Sequence, residues 1–244
     1  MKIRSNLALL LIITLFFGFK PEPYKVQKQR ILVFSLTKGY RHASIKEGLA
    51  ALTQMGQANG FEVDTTESVQ AFTKENLKKY KALVFLNPTG SNIFNETQKE
   101  AFKSYIRKGG AFVGVHAASD CNYEWEWYGQ LVGGYFESHP KVQEAKLDII
   151  QPKHQIVKGL PQPWLHKDEW YNFKSLNPKV NVLIKVDETS YQGGTMKNDH
   201  PISWCHEFDG GRVFYTALGH TKECYSDSLF LKHLLAGLKW AMHS

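Results

Sequence analysis

The sequence predicts an α/β fold, a mostly parallel sheet covered by helices and followed by a β-rich second half. Two observations carry the first part. Arg30–Leu36, Tyr80–Asn87 and Ala111–His116 are apolar almost throughout rather than alternating, as in strands buried on both faces. Helices with readable start and stop signals lie between them, so strand, helix, strand, helix, strand repeats, the pattern of right-handed crossovers. The third observation is the run of strand candidates beyond residue 140, with no comparable helix until the C-terminal end.

The elements follow in order. Lys2 and Arg4 precede an unbroken apolar run, Leu7 to Phe17. A membrane span needs about 20 such residues, so this reads as a secretory signal over residues 1–18, or to about 20. The alternative is an apolar first strand or helix of the fold. A linker follows at 19–26, and one domain runs from 27 to 244. Export is expected, to the periplasm in a Gram-negative source. Arg30–Leu36 is the first strand. Ser44 with Glu47 predicts a capping box for a helix that ends at Gly60. Phe61–Thr66 alternates as a second strand, and Tyr80–Asn87 is a third, stopped by Pro88-Thr89-Gly90. Asn95 with Gln98 caps a helix to Lys108, and Ala111–His116 is the fourth strand. Ala145–Ile150, Glu169–Phe173, Val180–Asp187, Ile202–Phe208 and Arg212–Leu218 are strand candidates, the last two a hairpin through Asp209-Gly210-Gly211. A final helix covers Ser226–Met242, with Leu229, Leu234, Leu235, Leu238 and Trp240 on one side.

The formal charge of +7 invites a nucleic-acid reading. Removing Lys2 and Arg4 with the signal takes +7 to +5, and no run of five like charges occurs anywhere. Dispersed lysines on an exported domain are a solvated surface, so no nucleic-acid partner is expected, and no stable membrane span after cleavage. Three cysteines, Cys121, Cys205 and Cys224, are an odd count. They allow one disulfide at most, and spacing does not choose the pair.

Ligands of open parallel sheets bind at the carboxyl ends of the strands. Here those ends carry Tyr40-Arg41-His42, Asn87 to Gly90, His116 to Asp120, and Gly219-His220-Thr221. Three of the ten histidines thus fall just past predicted strands, on one shared edge. His139 and His200 each precede a proline, a turn position. Asp168 and Glu169 stand beside Trp170 and Tyr171. Such surroundings raise a carboxyl pKa and suit an acid or base, although the pair could equally face water from an edge strand. Trp125, Trp127, Tyr128, Trp164, Trp170 and Tyr171 could stack on sugar rings or pack the core. No H-x-H, H-E-x-x-H or H-x-x-x-H spacing occurs. No cofactor is expected, with a divalent metal on His116, His139 and His220 the one possibility left open.

The turn after the fourth strand is the most informative. Gly114-Val115-His116-Ala117-Ala118 occupies the place of the nucleophile elbow of α/β enzymes, where Ser or Cys would stand. The small residues that the turn requires are kept and His116 takes the middle. Acyl-enzyme chemistry through Ser or Cys is therefore excluded at that position, and Cys121 lies too far on to substitute.

The motifs GYRH, GGAFVGVHAASD, WYGQLVGGYFESHP, DEWYNF and DHPISWCHEFDGGRVFYTALGHT, with the closing FLKHLLAGLKWA, resemble the ThuA-like (trehalose utilisation) family over Arg30 to Met242. The resemblance implies a flavodoxin-like sheet of the class I glutamine amidotransferase type with an altered nucleophile position. It also implies sugar metabolism, beside oxidoreductases that make 3-keto disaccharides, and pocket roles for His42, His116, His139, Glu169, His200 and His220. The expected protein is an exported enzyme acting on 3-keto-glycosides or related saccharides. His116, Glu169 and Asp120 would be catalytic. Tyr40, Arg41, His42, His139, Asp168, His200 and His220 would bind substrate, with Arg41 and His42 on the oxyanion side. The alternative is a non-catalytic sugar-binding module on the same scaffold.

Overall fold

The computed structural model describes residues 28–243, so the signal and linker expected over residues 1–26 lie outside the described residues. The first half alternates as expected: β1 (Arg30–Phe34), α1 (Ile45–Asn59), β2 (Glu62–Thr66), a short α2 (Lys74–Leu77), β3 (Ala82–Leu86), α3 (Glu96–Arg107) and β4 (Ala111–Val115). There follow α4 (Glu126–Val132), β5 (Tyr135–Ser138), β6 (Gln143–Ile149), β7 (Trp164–Asp168), β8 (Asn172–Lys174), β9 (Asn181–Val186), β10 (Pro201–Phe208), β11 (Gly211–Thr216) and α5 (Ser228–Met242).

Nine strands form one sheet in the order β2-β1-β3-β4-β11-β10-β9-β6-β7, and β5 pairs with β8 beside it. The pairings from β2 to β11 are parallel, and those from β11 to β7 are antiparallel. The central strands β3 and β4 are buried at every position, because helices cover both faces. Leu86 meets α1 at Gly48, while its neighbour Phe85 faces Phe102 of α3 at 5.4 Å. In the antiparallel half β6 and β7 alternate instead, with Ala145, Leu147, Ile149, Trp164, His166 and Asp168 turned inward.

Several local expectations hold. Asn95 and Gln98 form the reciprocal capping box of α3. The β10–β11 hairpin turns through Asp209 and Gly210, both at positive φ, as a two-residue turn matched to the strand twist demands. Others are corrected. Ser44 takes helical φ/ψ and caps nothing; its hydroxyl instead donates to the buried Gly219 carbonyl at 3.1 Å, and Glu47 pairs loosely with Lys222. The expected strand Glu169–Phe173 is split. Asp168 accepts the Glu169 N–H on its own Oδ1, which ends β7 and leaves Glu169 to Tyr171 as a loop before β8. The helix α5 starts two residues late, with Asp227 as its cap. Its buried stripe is Phe230, His233, Leu234, Gly237, Leu238 and Ala241, a cleaner i, i+3, i+4, i+7 series than the leucines alone suggest. All three cysteines are free and buried. No helix among the described residues is long and apolar enough to cross a membrane.

Candidate active site

The carboxyl ends of β1, β4 and β11 deliver His42, His116 and His220 to one place. The β7–β8 loop brings Glu169 against them from the antiparallel half. His116 begins a single 3-10 turn directly after β4, with φ +46°. That left-handed conformation costs about 1–2 kcal/mol for a residue with a Cβ, so the surroundings must hold it. Tyr215 donates its hydroxyl to the His116 carbonyl at 2.8 Å, and the imidazole Nδ1–H donates to the Ala217 carbonyl at 2.7 Å. The ring lies against Tyr171 with centroids 4.0 Å apart. A Cβ on Gly114 would come within 2.9 Å of Tyr215 and 3.1 Å of the Ala118 methyl. The turn therefore has the tight packing of a nucleophile elbow and carries an imidazole at its apex.

Because the Ala217 carbonyl takes the Nδ1 proton, Nε2 is the nitrogen that His116 turns to its polar neighbours. It lies 3.4 Å from Glu169 Oε2 and 3.2 Å from His220 Nδ1. His220 Nδ1 is 3.1 Å from the same carboxylate oxygen. The other oxygen, Glu169 Oε1, lies 2.9 Å from His139 Nδ1, whose N–H donates to the Pro140 carbonyl at 2.9 Å. The His42 ring stands nearly perpendicular to His116 and His220, at 4.9 and 5.1 Å, and its buried Nδ1 has no hydrogen-bond partner. One donor atom from each of His42, His116, Glu169 and His220 falls within 4.8 Å of every other. This is the set of residues that could hold a metal ion.

The electrostatics follow from burial. Desolvation, then the charges of His116 and His220, push His42 down to about 2, so it is a neutral base. Burial acts to raise Glu169, but hydrogen bonds and charge from His116 and His220 outweigh it and hold the carboxyl well below its usual range. Asp120 goes the other way: desolvation raises it against the hydrogen bond from Tyr123.

Behind this floor, Asp168 accepts the Gly219 N–H at 2.7 Å on one oxygen, and those of Glu169 and Thr221 on the other. It thereby ties the Glu169 loop to the His220 loop. Burial would raise its carboxyl, but the His166 contact, the His116 and His166 charges and the Gly219 N–H hold it low. Ser44, Asn87 and Tyr225 all donate to the Gly219 carbonyl, which fastens the same loop from its other side.

The expected residues thus divide. His42, His139, Asp120, Glu169, His220 and the 65 % exposed Tyr40 line a cavity of about 470 Å³, with Phe136 and Tyr171 as further wall; His116 is fully buried behind that lining, against Glu169, His220 and Tyr171. Asp168 is completely buried beneath. His200 is also behind the wall: its Nε2–H donates to the Tyr171 carbonyl at 2.7 Å, while Nδ1 meets Tyr191 and Glu188. Arg41 turns away to Glu67 at 2.6 Å and does not line the cavity. Of the three expected metal candidates, His116 and His220 meet, while His139 reaches only Glu169. Trp164 and Trp170 are core, and Trp125 stacks on Trp127 away from the cavity. Sequence reasoning missed Ser44 and Asn87 as loop fasteners, and His166 as the partner of Asp168. The one available signal was the two-residue spacing of His166 and Asp168, which puts both on one strand face.

Comparison with known proteins agrees with this architecture. The sequence profile of the ThuA family, described as trehalose utilisation, matches residues 30–241. A ThuA-like protein from Bacteroides uniformis is 24% identical, with TM-score 0.74, covering 92% of this chain and 95% of its own. One from Parabacteroides merdae is 20% identical, with TM-score 0.72, covering 88% and 90%. A beta-galactosidase from Bacillus circulans shares the fold over 87% of this chain and 31% of its own, at 15% identity and TM-score 0.58. No curated protein matches the chain in sequence. The mixed sheet, its helical covering and these neighbours are those of a class I glutamine amidotransferase-like fold, and the chain belongs to the ThuA (trehalose utilisation) family.

Proposed function

We propose that the protein is an exported enzyme that processes 3-keto-glycosides or related disaccharides by acid/base chemistry in the His116 cavity. One observation carries the reading. A strained elbow that in acyl-transfer enzymes presents Ser or Cys here presents His116, directly behind a sugar-sized cavity lined by three further imidazoles and two carboxylates. A cavity of about 470 Å³ lies within the range of small-molecule sites, and the exposed Tyr40 and half-buried Phe136 offer ring surface to a sugar.

The chemistry suits a ketone substrate. A keto group at sugar C3 acidifies the C2–H bond. A base takes that proton, the C1–O bond breaks, and the departing glycosidic oxygen receives a proton from an acid, leaving a C1–C2 double bond. Asp120, desolvated and held by Tyr123, and His139, which opens on the cavity, are placed to move these protons. His220, which lines the cavity and whose pKa Glu169 raises against the effect of burial, would face the oxygen on which enolate charge develops. Export rests on Lys2, Arg4 and the apolar run to Phe17, and puts the substrate outside the inner membrane.

The test is turnover of 3-keto disaccharides followed by mass spectrometry. His116→Gln, which removes the imidazole that holds Glu169 and His220 in place, should lower kcat/KM by about 10²–10³-fold, the usual loss when one electrostatic group of such a site is removed. Unchanged turnover in that variant ends the assignment. Calorimetry that finds oxidised disaccharides bound by the wild type but never converted makes the protein a sugar-binding module instead.

A further inference from the structure

We propose that His116, His220, Glu169 and His42 form a binding site for one divalent transition-metal ion, with zinc the best fit. Geometry carries this. The three spans among His116 Nε2, His220 Nδ1 and Glu169 Oε2 are 3.2, 3.4 and 3.1 Å. Ligands about 2.0 Å from a tetrahedral zinc are about 3.3 Å apart. The rings agree independently. Three imidazoles on one such ion have centroids about 5.2 Å apart; here the separations are 4.9, 5.1 and 5.1 Å.

Hydrogen bonding alone does not account for the arrangement. The Nδ1 proton of His116 is committed to the Ala217 carbonyl, so Nε2 brings a lone pair, and Glu169 Oε2 brings lone pairs of its own. The His220 Nδ1–H can satisfy only one of them. Even with every imidazole protonated, the spans to Glu169 Oε2 exceed the 2.7–2.9 Å typical of N–H to carboxylate bonds between charged partners. His42 is buried to 3 % exposure and has an unpartnered nitrogen in the same cluster. Electron pairs therefore converge on a point that a cation would occupy.

The outer contacts are those of a built site. The Ala217 carbonyl orients His116 and Asp168 locks both loops, the way second-layer groups aim metal ligands. Three imidazoles with one carboxylate suit zinc and its neighbours, whereas magnesium and calcium prefer oxygen. The other candidate cluster, His166, Asp168 and Cys224, is not chosen. Its carboxylate already accepts the Gly219, Thr221 and Glu169 N–H groups, and His166 Nδ1 is taken by Asp227. What the ion would supply, an electrophile for the substrate's carbonyl oxygen, rests on the proposed function; its binding does not.

The experiment is metal content by mass spectrometry of the purified chain, then calorimetric titration of chelator-treated protein with zinc, and with magnesium in parallel. One zinc per chain is expected, magnesium should not bind, and cobalt(II) should give the intense visible bands of a four-coordinate site. His220→Ala and Glu169→Gln should weaken zinc at least about 100-fold, while Cys224→Ser should not. Failure of the wild type to take up zinc, nickel, cobalt or manganese near one equivalent overturns the proposal. So does zinc binding that survives both ligand substitutions, or cobalt bands of a six-coordinate ion. Stoichiometric zinc without turnover of 3-keto-glycosides keeps the site and removes the acid/base reading. Full turnover by metal-free protein keeps the acid/base reading and removes only the ion's part in it.

Discussion

The two halves of the sheet solve the same burial problem with opposite chemistry. From β2 to β11 the strands run parallel, and at its centre the sheet presents an almost wholly apolar interior to helices on both faces. From β10 to β7 they run antiparallel, and the inward positions include His206, His166 and Asp168. The first half places histidines at strand ends, where backbone geometry alone brings them to one edge. The second half supplies the anionic partner: Glu169 emerges from a loop that exists because a buried carboxylate ended its strand. A scaffold of one kind positions the imidazoles, and a polar interior of the other kind positions the carboxylate.

Removing that polar anchor should have the largest effect. Asp168→Ala leaves three N–H groups without their acceptor and His166 Nε2 without its nearby carboxylate, and should cost about 3–5 kcal/mol in urea unfolding. Asp168→Asn, which keeps an acceptor oxygen, should lose less. Wild-type stability in Asp168→Ala would show that the antiparallel interior does not hold the loops.

The contrast in patterning can be tested with one substitution in each half. Val84 in β3 is wholly buried, so Val84→Thr buries a hydroxyl and should cost about 1–3 kcal/mol. Leu165 in β7 is 58 % exposed, so Leu165→Thr should stay within about 0.5 kcal/mol. Equal losses would erase the distinction between strands covered on both faces and strands covered on one.

A smaller effect should appear at the seam. His233 of α5 is buried between the halves, bridging Ser203 of β10 and the Ile156 carbonyl, with Phe214 of β11 against its ring and His166 as a nearby like charge. Burial pushes it from 6.5 down to about 4. The unfolded chain therefore binds the proton first as pH falls. Its stabilising neutral state is fully present above pH 6.5 and is lost progressively toward pH 4. The melting temperature should fall over that window, and His233→Gln should flatten the fall. An unchanged slope in the variant would assign the acid sensitivity to other groups.

Legibility follows the same division. Arg30–Leu36, Tyr80–Asn87 and Ala111–His116 are readable because strands buried on both faces leave apolar runs with sharp ends, and His116 and His220 are readable as strand-end residues. The span Glu169–Phe173 is misread because its aromatics have strand character. The break is made by the Asp168 side chain closing on its own neighbour. Ser44 reads as a helix cap because nothing local reveals that a carbonyl 175 residues away competes for its hydroxyl. Arg41 reads as a pocket cation because Glu67 is distant in sequence and near in space.

By itself the sequence determined the α/β class, the parallel order of the first half, the elbow with histidine in place of a nucleophile, and the membership of the histidines in one edge. These are encoded in periodicity and in residues next to strand ends, so neighbours along the chain suffice. Only the tertiary structure decided that His116 and His220 share one carboxylate with the His42 ring against both, that His139 lies beside its far oxygen, and that Asp168 and His200 stand behind. Those outcomes depend on distances of 3 to 4 Å between segments far apart in sequence. Packing sets such distances, and local pattern does not encode them.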